Sequence, residues 1–115
     1  MTENKDKLVI IWSSGDREVA LKMVFMYTLN SRLYNWWDDI TLIVWGPSAN
    51  LLSIDYELQE YIQKIREHGV KLEACKTCSD MYGVTRKLLN LGIDVKLMGI
   101  PLTQYIKEGR KIITF

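Results

Sequence analysis

The run Leu8-Val9-Ile10-Ile11-Trp12 constrains the fold of this chain more than any other segment. Side chains along a strand alternate between two faces, and this run is apolar at both parities, so a strand built from it must be covered on both sides. Ser13-Ser14-Gly15-Asp16 follows at once with turn residues and a helix N-cap. A doubly covered strand that turns directly into a helix is the opening unit of a parallel α/β sheet, because parallel neighbours are joined by crossovers that lay helices on the sheet faces.

The remainder of the chain repeats that unit. After the first strand, Lys7 to Ser13, a helix is expected to about Leu33, so rich in apolar positions (Val19, Ala20, Met23, Val24, Met26, Tyr27, Leu29) that it needs cover on two sides. Ile40 to Trp45 reads as a second strand, ended by Gly46-Pro47 and followed by a short helical turn over 48–53. Asp55 then caps a helix carrying Leu58, Ile62 and Ile65 on one face, which Gly69 stops. Val70 to Ala74 is a third strand with Val70, Leu72 and Ala74 opposed to Lys71 and Glu73, which predicts that only one of its faces is buried. A helical segment follows from Cys75 through Met81, and another from Thr85 to Leu91. Ile93 to Leu97 repeats the half-polar pattern as a fourth strand, Pro101 opens a short helix to Lys107, and Lys111 to Phe115 closes the chain as a fifth strand.

Five strands alternating with helices predict a three-layer α/β/α fold with a five-stranded, mostly parallel sheet and right-handed crossovers. At 115 residues one such domain spans 1–115, with 1–6 expected as a flexible tail. If strands three and four share one end of the sheet, the short Pro101 to Lys107 helix covers only the opposite end. Part of a sheet face would then stay open together with the apolar first helix, which predicts a homo-oligomer. The Trp36-Trp37 pair fits that interface, or equally packs beneath the loop before the second strand.

Fifteen basic against fourteen acidic residues leave a net charge of +1, and no bulk field favours nucleic acid or an anionic membrane. The N-terminal Met1-Thr2-Glu3-Asn4-Lys5-Asp6-Lys7 has no signal-peptide character and no run reaches spanning length, so the expected compartment is the cytoplasm, where thiols stay reduced. Ligands of parallel α/β sheets gather beyond the carboxyl ends of the strands. That edge is predicted to hold Ser13-Ser14-Gly15, Gly46-Pro47-Ser48, Cys75 and Met98-Gly99, of which only Cys75 is a strong nucleophile. A following helix and the adjacent Lys76 favour its thiolate, whereas the opposing reading is a packed, inert cysteine. Cys75-Lys76-Thr77-Cys78 is also a C-x-x-C, which admits dithiol exchange with Cys78 as a resolving thiol.

Two cysteines and one histidine do not complete a structural zinc shell, and the Ser13 to Asp16 loop lacks the glycines and lysine of a phosphate-binding loop. No metal or organic cofactor is expected. His68 suits the negative end of its helix, while Tyr56, Tyr61, Tyr82 and the methionines read as packing.

A first strand ending in Ser-Ser-Gly, Val44-Trp45-Gly46-Pro47-Ser48-Ala49 with Leu51-Leu52, Glu67-His68-Gly69-Val70, Ala74-Cys75 with Gly83-Val84 downstream, Leu91-Gly92-Ile93 and Gly109-Arg110-Lys111-Ile112 occur in an order and spacing that resemble the DsrE/DsrF-like proteins. The resemblance runs from Lys7 to Phe115. It implies a three-layer domain assembled as a trimer or hexamer, in which a cysteine after the third strand carries sulfur as a persulfide between donor and acceptor proteins or small thiols. Cys75 matches that position and Cys78 has no counterpart in the relay pattern. The expectation is a sulfur carrier or sulfurtransferase, with a non-catalytic homo-oligomeric binding or regulatory module and Cys75–Cys78 thiol-disulfide exchange as alternatives.

Overall fold

The computed structural model describes residues 6–115, so the expected N-terminal tail lies outside the described residues except for Asp6. The Asp6 carbonyl accepts hydrogen bonds from the amides of Asp38 and Asp39 at 2.9 and 3.4 Å. Five strands form one sheet: β1 (Lys7–Trp12), β2 (Asp39–Val44), β3 (Lys71–Cys75), β4 (Asp94–Lys96) and β5 (Lys111–Thr114). Their order is β4-β3-β2-β1-β5 and every pairing is parallel. As expected from its apolar run, β1 is an interior strand, flanked by β2 and β5, although β2 holds the middle of the sheet.

Asp16 caps the first helix, its carboxylate accepting the Glu18 amide at 2.8 Å. That helix begins as α1 (Arg17–Val19), loosens into a π-helical stretch over Ala20–Val24 where the Phe25 amide reaches back to the Ala20 carbonyl, and continues as α2 (Phe25–Leu33). Residues 47–54 form α3 (Pro47–Ile54), and α4 (Tyr56–Glu67) is capped by Asp55, which accepts the Leu58 amide at 3.1 Å. The His68 ring sits against the Lys64 carbonyl at 2.8 Å, the predicted partner at a helix C-terminus. Then come α5 (Lys76–Tyr82), α6 (Thr85–Asn90) and α7 (Gly99–Lys107).

Two apolar layers flank the sheet. On one face Leu8, Ile10, Trp12, Leu42, Val44, Leu72 and Ala74 pack against residues of the first helix, α3, α4 and α6, with Trp12 and Phe25 meeting edge-on at a centroid distance of 4.9 Å. On the other face α7 supplies most of the cover: Tyr105 and Leu102, with Met98 just before it, pack on Val9, Ile43 and Cys75. Strands three and four do share one end of the sheet, but α7 reaches β3 rather than only the opposite end. The half-polar reading of β3 is overturned for the same reason, since Glu73 is fully buried under Tyr105.

In the Trp36-Trp37 pair the packing reading holds for Trp37. Trp37 packs at the margin of the core and donates from Nε1 to the Tyr27 hydroxyl at 3.1 Å, whereas Trp36 is half exposed beside Tyr27 and Tyr34. Met23 and Met26 of the first helix also face outward, 49% and 46% exposed, so the second side of that helix is uncovered by its own chain.

Candidate functional site

Cys75 is the last residue of β3 and the N-cap of α5. Strand parity directs its side chain to the α7 face, into the small cluster of Val9, Ile43, Met98 and Tyr105. Only 6% of the residue is exposed. Its sulfur takes no capping hydrogen bond from α5. Lys76, the adjacent charge, is turned to Asp80 at 2.7 Å, and this pairing holds the Asp80 carboxyl below its ordinary range, with help from the Thr85 hydroxyl.

Three residues along the chain, on the first turn of α5, Cys78 is more open than Cys75, and both cysteines are free thiols. Cys78 packs against the same small cluster that holds Cys75, with the Gly46 amide close to its sulfur. Gly46 reaches that position with φ 85° and ψ −140°, a backbone state that a Cβ would disfavour, which is why the turn after β2 carries glycine. Burial raises the Cys78 thiol above its ordinary range, the neighbouring Cys75 adds to the effect, and the Gly46 amide opposes it. Cys78 is therefore a protonated thiol at neutral pH.

The carboxyl edge collects the other residues expected there. The Ser13 carbonyl accepts the Ser48 amide at 3.2 Å, its hydroxyl donates to the Phe115 carbonyl at 2.9 Å, and Met98 is buried against the Cys75 cluster. The serine loop is thus occupied in tying β1 to the β2 turn and to the chain end.

One polar group of the site was not foreseen. Glu73, two residues before Cys75 and on the same sheet face, accepts the Tyr105 hydroxyl at both carboxylate oxygens, at 2.8 and 3.0 Å. Lys96 pairs with it at 2.8 Å and with Asp94 at 2.9 Å, and Lys71 stands 3.5 Å away. Lys96 is also the cross-strand partner of Cys75. Burial, then the Glu73 hydrogen bond, push the Tyr105 phenol up to about 12, and Glu73 followed by Asp94 raises the Lys96 ammonium. Opposite charges at the same parity of neighbouring parallel strands were the available signal; the missing fact was that Tyr105 would cross over them.

A parallel five-stranded α/β domain with a pair of neighbouring free thiols at the end of its third strand is thereby defined. The chain belongs to the DsrE/DsrF-like family, whose pattern it matches over residues 7–115. Among solved structures it is similar to BT1422 from Bacteroides thetaiotaomicron, a conserved protein of unknown function, at 39% identity over 100% of both chains with a TM-score of 0.95. The ychN protein of E. coli shares the fold at 19% identity, 96% and 99% coverage and a TM-score of 0.80. MTH1491 from Methanobacterium thermoautotrophicum, also of unknown function, does so at 20% identity, 95% and 98% coverage and a TM-score of 0.78. No functionally curated protein matches this chain. None of the helices among the described residues is long and apolar enough to cross a membrane.

Proposed function

We propose that this protein is a sulfur carrier in which Cys75 accepts a sulfane sulfur, holds it as a persulfide and passes it to an acceptor thiol. The observation that carries this reading is the place of Cys75: a free thiol at the carboxyl edge of β3 in a DsrE/DsrF-like chain, the position from which that family's relay cysteine works. The chemistry is thiolate attack on a sulfur–sulfur bond and calls on no metal or organic cofactor. Reduced cytoplasmic thiols suit it. Incubation of the reduced protein with cysteine hydropersulfide, followed by intact mass measurement, is expected to show one added sulfur on the wild type and none on Cys75→Ser. Absence of the addition, or its persistence in Cys75→Ser, would refute the proposal.

The burial of Cys75 favours a second reading, a non-catalytic homo-oligomeric module in which this cysteine only packs. That reading expects alkylation by iodoacetamide to be slow in the native state and fast in denaturant. Rapid native alkylation of Cys75 excludes it.

Either way we propose that the chain self-associates, as a homotrimer or homohexamer. Support comes from a groove of about 340 Å³ between the first helix and the chain end, lined by Met23, Met26, Tyr27, Trp36 and Phe115. Its half-exposed methionines and tryptophan form the kind of apolar patch that interfaces cover. Light scattering at micromolar concentration is expected to give an oligomeric mass that Met26→Glu lowers; a monomeric wild type contradicts the proposal.

A further inference from the structure

We infer that Cys78 is the resolving thiol of Cys75: its sulfur attacks the inner sulfur of a Cys75 persulfide, closes a Cys75–Cys78 disulfide and releases hydrosulfide. The inference rests on the carrier reading and assigns that site a second outcome, reductive release of sulfide in place of transfer.

Access decides which sulfur each nucleophile reaches. Cys75 lies 6% exposed beneath Met98 and Tyr105, so the inner sulfur of its persulfide is shielded from an external thiol, while the added outer sulfur extends one bond further. Cys78 needs no long approach path, because it sits three residues along in the first turn of α5 and packs against the same cluster as Cys75. A spacing of three residues in a helical first turn is also one that a disulfide spans without large backbone movement. External acceptors therefore take the outer sulfur, and the neighbouring thiol takes the inner one.

The step balances within the chain. Cys78 supplies the electron pair for the new sulfur–sulfur bond, the bond between inner and outer sulfur breaks, and the outer sulfur leaves as hydrosulfide carrying the proton Cys78 gave up. The sulfane sulfur is reduced by two electrons and the two cysteine sulfurs are oxidised to the disulfide. A dithiol reductant returns both cysteines to thiols, itself becoming a disulfide. Because Cys78 holds its proton at neutral pH, its attack is coupled to delivery of that proton to the leaving sulfur, and release is slower than attack by a free thiolate. That slowness leaves time for transfer to an external acceptor.

The test loads the reduced wild type, Cys78→Ser and Cys78→Ala with cysteine hydropersulfide, removes excess reagent without oxygen, and follows intact mass and free sulfide over time. In the wild type the added sulfur should give way to a species two hydrogens lighter than the reduced protein, with one equivalent of sulfide. Both variants should retain the added sulfur about tenfold longer and release no sulfide until an external thiol is added. Equal lifetimes in wild type and variants, or sulfide loss without the lighter species, would overturn the resolving role alone. Failure of the wild type to take up sulfur would remove the carrier reading and this step together.

Discussion

Replacing Lys96 by methionine tests what the buried ion pair beside Cys75 contributes. The variant keeps most of the apolar stem and removes the ammonium that stands 2.8 Å from Glu73, a carboxylate with no exposed surface. At that separation and an effective dielectric constant of about 20, the gross attraction is about 6 kcal/mol. Desolvation of both ions offsets much of it, and breaking a buried pair from one side costs about 3–5 kcal/mol because the remaining charge is stranded. Lys96 is itself a third exposed, Lys71 remains 3.5 Å away, and Tyr105 still donates to both oxygens. These place the expected loss at the lower end, about 3 kcal/mol.

That loss is a large share of the stability of a domain this size, and at a urea slope of about 1.5 kcal/mol per molar it lowers the unfolding midpoint by about 2 M. The double variant Glu73→Gln with Lys96→Met leaves no stranded charge and keeps an oxygen for the Tyr105 hydroxyl, so it should recover at least half of the deficit. A single variant within about 1 kcal/mol of wild type, or a double variant no better than the single, would refute the argument. High pH gives an independent reading. The folded state raises both the Tyr105 phenol, to about 12, and the Lys96 ammonium, so the stability they confer is complete below the unfolded values near 10 and is lost as pH climbs through the folded ones. Wild-type stability should hold through pH 9 and fall between about 10 and 12, and less steeply in Lys96→Met.

Two further substitutions address the frame that holds the site. Asp55 caps α4 and pairs with Arg17, which, ahead of the Leu58 amide, lowers its carboxyl below the ordinary value. Asp55→Ala should cost about 1–2 kcal/mol at pH 7, a deficit that shrinks as pH falls below about 4 through the folded value; a deficit constant with pH would contradict the pairing. The Thr41 hydroxyl is buried on the α7 face of β2 without a hydrogen-bond partner. Thr41→Val should therefore stabilise by about 1 kcal/mol in a urea titration, and destabilisation would show that the hydroxyl is in fact satisfied.

The sheet was legible because its punctuation is local. Leu8 to Trp12 required an interior strand, Asp16 and Asp55 announced their helices, and Gly69 closed the fourth helix with φ 90° as its position suggested. The π-helical stretch over Ala20–Val24 was not legible, since its residues are as compatible with an ordinary helix and only the tertiary fit selects the longer hydrogen bond. Glu73 was misread for a related reason. Alternation in β3 reports which residues share a face, but a polar face is indistinguishable from a solvent face until the element crossing it is known.

The same uncertainty governed Cys75, and here the two surprises are one fact. Cys75 and Glu73 share a parity, so the crossing of α7 that buries the carboxylate under Tyr105 also buries the thiol under Met98. A relay cysteine open to solvent would deliver either of its persulfide sulfurs to any passing thiol. On the proposed carrier reading, shielding by α7 would divide those two sulfurs between an external acceptor and Cys78, and the hydrogen bonds of Tyr105 to the paired Glu73 help hold α7 on the sheet. Loosening that fastening, as in Lys96→Met, should then raise the native alkylation rate of Cys75 as well as lower stability, whereas Asp55→Ala, on the other side of the sheet, should lower stability and leave the thiol as protected as before.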